Sequence, residues 1–210
     1  MKIKEEFKIL VIVGSWNRAI FQKDWIKRFL LPNEDFLLEF SLNLDGSHRI
    51  STNNIRIEFH NNRLNFIPIK NDINTYELIS EIAFKIADYL PHTPVIGYGV
   101  NFIFEGKSQD IKHDLIKTYD TDKLLDYKAT IINSEHKHSI HLDNVSCNFS
   151  ISLNNDKLIF GFNFHTDIKD LVQFKEKLDE KPITKLNEIA LGIMGNVYNI
   201  QPDGEHNLCL

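Results

Sequence analysis

The chain has 210 residues, a net charge of −5, a hydrophobic fraction of 42% and a charged fraction of 25%. That composition excludes a disordered or collagen-like chain, and the length allows one domain or two tightly joined halves. A chain of this size buries roughly 70% of the surface its unfolded form exposes, so it needs no disulfide or metal to hold a core.

Neither half is basic, which disfavours nucleic acid as a partner. The apolar run Ile9–Val13 is too short for a leader or a membrane span, and no later stretch reaches 18 apolar residues. The two cysteines, Cys147 and Cys209, form no framework and no C-x-x-C. A cytoplasmic protein with no membrane contact is expected. Every arginine (Arg18, Arg28, Arg49, Arg56, Arg63) lies in the first 63 residues. Arg49, Arg56 and Arg63 are therefore candidates for anion contact.

In chain order, Phe7–Trp16 reads as a strand and Gln22–Leu30 as a short helix ended by Pro32. Phe36–Leu44 alternates, with Phe36, Leu38, Phe40, Leu42 and Leu44 expected toward the core. Ile55–Phe59 and Leu64–Ile69 form a hairpin about Asn61-Asn62. Thr75–Leu90 is the clearest helix, with Asn74 as its cap and Leu78, Ile79, Ile82, Ala83, Ile86 and Leu90 as its apolar stripe. Tyr98–Phe104 is a strand. A helix follows at Asp110–Tyr119, then strands at Tyr127–Ile132, Ile140–Leu153 (interrupted near Asp143-Asn144) and Leu158–His165. Asp170–Glu180 and Thr184–Tyr198 read as helices, and the tail from Gln201 as mobile.

The two hairpins share a pattern: Asn-Asn, a basic residue, Leu, then Phe two residues on, at Asn61–Phe66 and Asn154–Phe160. Each follows an alternating strand and precedes a helix. The fold class expected is α+β, with antiparallel sheet carrying helices on one face and an internal duplication of a β-β-β-α unit. Residues 1–106 form the first half, 107–200 the second, and 201–210 the tail.

Alternation also selects the side chains that point away from the core. They include Ser41, Asn43, Asn65, Asn101, Asn148, Ser150, Asn163 and His165. Serine and asparagine dominate where a solvated strand face favours other residues. Neutral hydrogen-bonding groups are less costly to desolvate than charges, so this face suits a partner or a ligand.

His136, His138 and His141 make an H-x-H-x-x-H cluster, a weak candidate for a transition metal. Ile140 stands where the metallo-β-lactamase-like H-x-H-x-D-H run has its aspartate, so that chemistry does not carry over. The alternative is a polar hairpin tip over Ser134–Ser139. Asp120-Thr121-Asp122 and Asp203–His206 are short acidic runs without further context, and Val13–Arg18 lacks the glycine and lysine of a phosphate loop. Arg56 and His60 flank Glu58 on one strand face, a pattern that serves ion pairing as well as anion contact.

No cofactor is expected. The Asn-rich, Arg-poor composition points to a bacterial or phage source. The function expected is a non-enzymatic interaction or assembly module of a multi-protein system, docking a protein partner or a second copy. The alternative is a small-ligand or nucleotide-binding protein, an enzyme among the options, with its site between the two halves.

Overall fold

A computed structural model describes residues 1–41, 47–107, 133–142, 145–154, 156–178 and 182–200. The ten strands are β1 (Lys2–Ile3), β2 (Leu10–Gly14), β3 (Leu37–Phe40), β4 (His48–Ser51), β5 (Ile55–Phe59), β6 (Arg63–Pro68), β7 (Val95–Lys107), β8 (Asn133–Leu142), β9 (Val145–Asn154) and β10 (Lys157–Asp167). The helices are α1 (Lys23–Trp25), α2 (Ile73–Tyr89), α3 (Leu171–Leu178) and α4 (Pro182–Gly192). Wider π-type turns continue α1 over Ile26–Leu30 and α4 over Ile193–Val197.

The strands form one sheet in the order β3-β4-β5-β6-β2-β7-β10-β9-β8, with β1 added on β7. Every pairing with a described register is antiparallel. The fold is therefore α+β with an open antiparallel sheet. Outward from β2 run β6, β5, β4 and β3, and outward from β7 run β10, β9 and β8.

The chain divides into two compact units. Unit 1 comprises Met1–Lys4, Phe102–Asn163 and Glu188–Leu210; unit 2 comprises Glu5–Asn101 and Phe164–Asn187. The boundary expected after residue 106 falls at the end of β7.

In unit 2 the register explains the core. Leu10 and Ile12 stand beside Phe66 and Leu64 on one neighbour and Val100 and Tyr98 on the other, and Ile57 and Phe59 continue the same side. All are buried. Phe21 packs on Phe59 at 4.4 Å, and Phe174 of α3 meets Tyr98 edge-on at 5.2 Å. Helix α2 contributes Ile79, Ile82, Ala83 and Ile86, all fully buried. Each large side chain so buried contributes about 1.5–3 kcal/mol relative to exposure. In unit 1 the core holds Phe102, Phe104, Cys147, Phe149, Ile151, Phe160 and Phe162. Tyr198 closes it from 5.6 Å on Phe149 and 5.4 Å on Phe160.

Local signals account for the element ends. Asp72 Oδ1 accepts from the Thr75 amide at 2.7 Å, so Asp72 rather than the expected Asn74 caps α2. Pro91 disfavours the α conformation at Leu90, where the helix stops. The amide of His60 donates to the Arg63 carbonyl at 3.0 Å, closing the two-residue Asn61-Asn62 turn. Gly14 ends β2 at a register shift, and a Cβ there would stand 2.4 Å from the Pro94 carbonyl oxygen.

Several expectations are corrected. Phe40 is 68% exposed and Leu38 only half-buried, because their strand is four residues long and lies at the sheet edge. Leu78 is half-buried. Ser134–Ser139 is part of strand β8, which pairs with β9 in unbroken register, so it is not a hairpin tip. Strand β4 was not expected. The elements expected at Asp110–Tyr119 and Tyr127–Ile132, residues Asn43, Asp120–Asp122, Asn155 and the tail from Gln201 lie outside the described residues.

Candidate functional site

Each unit has a polar side opposite its apolar one, and the two are built differently. In unit 2 a single transverse row runs Glu39, Arg49, Glu58, Asn65, Val11, Gly99 across six strands. Arg49 Nε and Nη2 donate to the two carboxylate oxygens of Glu39 at 2.7 and 3.0 Å. Asn65 Nδ2 donates to Glu58 Oε2 at 2.8 Å, His60 Nε2 lies 3.5 Å from that oxygen and Lys8 Nζ 3.8 Å.

The titration of these groups follows from their neighbours. The Arg49 hydrogen bond holds the Glu39 carboxyl below its usual value. Burial opposes ionisation of Glu58, but the bonds from Asn65 and His60 and the charge of Lys8 outweigh it and lower its pKa. On the other side of β4, burial pushes the His48 imidazole down against a hydrogen bond to the Phe21 backbone.

Arg56 Nη2 faces Glu6 at 3.7 Å. Two of the three arginines expected to contact anions, Arg49 and Arg56, thus sit against carboxylates of the chain itself. Arg63 is exposed at the start of β6. A groove of about 300 Å³ borders the row, its lining including Ser41, Ser47, Arg49 and His60.

Asn65, expected on a docking face, is fully buried with its amide turned to Glu58. Asn101 Nδ2 donates to the Lys8 carbonyl at 2.8 Å. His165 Nε2 lies 2.9 Å from Asp167 Oδ1, with Gly97 beneath the ring: a Cβ there would be 3.1 Å from it.

In unit 1 the polar side is mostly neutral. Strand β9 presents Ser146, Asn148, Ser150 and Ser152, opposed on β8 by His141, Ser139, Lys137 and Glu135. Ser146 and Asn148 are exposed. Asn148 bridges the strands: its oxygen accepts from Ser139 Oγ at 2.9 Å, and its nitrogen donates to Asn163 Oδ1 of β10 at 3.4 Å. Gly161 leaves room for Ser150, whose Oγ would stand 2.8 Å from a Cβ added there. Of the residues expected on one face, unit 1 brings Asn148, Ser150 and Asn163 together. Ser41, Asn65, Asn101 and His165 belong to unit 2.

The histidine cluster is split by strand geometry. His136 and His138 point to the side of Ile151 and Phe149, and His138 stacks on Phe149 at 6.2 Å. His141 stands opposite Ser146 on the other side. Among the described residues no group of three His, Cys, Asp or Glu side chains is arranged to hold a metal ion. Cys147 is buried, and burial pushes its thiol up to about 11, far from a reactive thiolate.

Of strand β8 only the end, Ile140–Leu142, is expected from the sequence; Asn133–Ser139 is not. The strand is ten residues long, contains neither Pro nor Gly, pairs with β9 along its full length without a bulge and, among the described residues, ends the sheet. Glu135 and Lys137 lie on its polar side, 2.9 Å apart. No helix among the described residues is long and apolar enough to cross a membrane. No protein-family model matches the chain, and no curated protein does.

Proposed function

We propose that the chain is a protein-interaction module that docks a partner on the polar side of β8, β9 and β10 in unit 1. The observation that carries the reading is the neutral Ser146-Asn148-Ser150-Ser152 row, partly open to solvent and bordered by an unbulged edge strand. Such a surface loses little on desolvation and offers directional hydrogen bonds. An open edge adds a row of backbone donors and acceptors.

The matching descent of β6-β5-β4 on one flank and β10-β9-β8 on the other supports a duplicated β-β-β-α unit as the origin of the architecture. In that reading β4-β5-β6 with α2 answers to β8-β9-β10 with α4, the helices packed on the apolar side of the sheet. A cytoplasmic setting, in a bacterial or phage multi-protein assembly, belongs to the same proposal, and the unpaired, buried thiol of Cys147 is compatible with it.

The test introduces a charge into the row. Ser150→Lys and Asn148→Asp should abolish association, read as native mass and as the partner retained on tagged chain, while the melting temperature stays that of the wild type. A lysine or aspartate desolvated without a mate costs more than the row's own bonds contribute. Identical masses and identical retained partners for wild type and both variants would overturn the reading.

A further inference from the structure

We infer that the edge strand bordering this site takes a second copy of the chain, joined edge to edge through antiparallel β8–β8 pairing centred on His136. The inference rests on the interaction reading above and adds the occupant and its register.

An edge of ten unbulged residues without proline is the kind that soluble proteins avoid or cover. Among the described residues β8 pairs with β9 alone. Antiparallel pairing with a second strand would give its outward backbone groups a ladder. The cross-strand neighbours follow from arithmetic on the sequence. With His136 opposite its own copy, Glu135 faces Lys137 of the second chain and Lys137 faces Glu135, two opposite-charge pairs related by the twofold axis. Ser134 then faces His138 and Asn133 faces Ser139, so the ladder spans Asn133–Ser139, and Ile140, His141 and Leu142 have no β8 partner in this register.

The neighbouring registers are disfavoured by the same two residues. The smallest slip that keeps each side chain on its own side of the sheet is two residues. One direction sets Glu135 against Glu135, and the other sets Lys137 against Lys137. The strand thus carries charges that complement a copy of itself in one register and oppose it in both adjacent ones. Glu135 is 42% exposed and Lys137 70%, so both are accessible to a second chain.

The experiment is a charge exchange read by sedimentation equilibrium over a concentration series of the full chain. Wild type should dimerise. Glu135→Lys alone and Lys137→Glu alone should each raise the dimer dissociation constant about tenfold, since two symmetric pairs change from attractive to repulsive. An equimolar mixture of the two variants should form heterodimers with affinity near that of wild type, and the double exchange should restore the homodimer. These rescues separate a pairing effect from a folding defect. A wild type that stays monomeric at every concentration, or a dimer indifferent to the exchanges, overturns the inference. If the chain is monomeric but Ser150→Lys still releases a retained partner of another kind, the second copy is excluded and the interaction reading stands. If Ser150→Lys releases nothing either, both fall.

Discussion

The polar sides of the two units begin from the same sequence rule, alternation, and end in different chemistry. In unit 2 the row Glu39-Arg49-Glu58-Asn65 is closed on itself: each charge has a counter-charge or an amide within 4 Å. In unit 1 the corresponding residues on β9 are serines and an asparagine, and the asparagine's bonds run to other neutral groups. The comparison teaches that polarity on a strand does not by itself mark a docking surface. What matters is whether the groups satisfy one another across the register or remain able to bond something else.

Substitutions can break or sharpen that contrast. The largest effect is expected beneath unit 1's polar side. Phe160→Ala should cost about 3–5 kcal/mol in urea titration, since Phe160 is fully buried between Phe149 and Tyr198. Phe40→Ala at the exposed edge strand should stay within about 0.5 kcal/mol. A loss below about 1 kcal/mol at Phe160 would mean that the strand is inverted.

A smaller effect is expected at Asn65. Replacing it with alanine removes the best hydrogen bond to the half-buried Glu58 and should cost about 1–3 kcal/mol at neutral pH. The pH dependence has a definite sign. Glu58 has a lowered pKa in the folded chain, so its stabilisation is present above the unfolded value of about 4.3 and is lost as pH falls through the folded value. Asn65→Ala should therefore flatten the acid limb of the stability profile. An acid limb identical to wild type would show that Asn65 does not govern this carboxylate. His48 contributes in the same direction at higher pH, because its lowered pKa makes stability fall below about 6.5.

The smallest effect is expected at Glu39. The pair with Arg49 is solvent-exposed, so Glu39→Gln should leave the melting temperature unchanged at physiological salt. A clear drop would make the row one cooperative network rather than a set of local contacts.

Much of this architecture is legible in the sequence. The alternation of Val145–Leu153 and Leu158–Phe164 places Phe149, Phe160 and Phe162 in the core, and the 3.6-residue spacing in α2 places Ile79, Ile82 and Ile86 there. Strand β4 is not legible, because His-Arg-Ile-Ser carries a single aliphatic residue and no pattern. The burial of Asn65 depends on which residue of β5 stands beside it, and cross-strand register is not written in one strand alone. The split of the histidine cluster was legible in principle: His138 and His141 are three residues apart, an odd spacing that sends them to opposite sides of an extended chain. Reading that segment as a turn hid the parity.

The unbroken pairing of β8 with β9 also gives the edge a signature in time. Among the described residues β8 is paired on one side, and along such a strand alternate amides point inward to the neighbour and outward from the sheet. Deuterium should therefore enter β8 at every second residue, a fast-slow alternation from Asn133 to Leu142, while the corresponding amides of β9 exchange slowly throughout. Concentrating the protein should erase the alternation if a second strand arrives, and it should do so first near His136, where the ladder is closed from both ends.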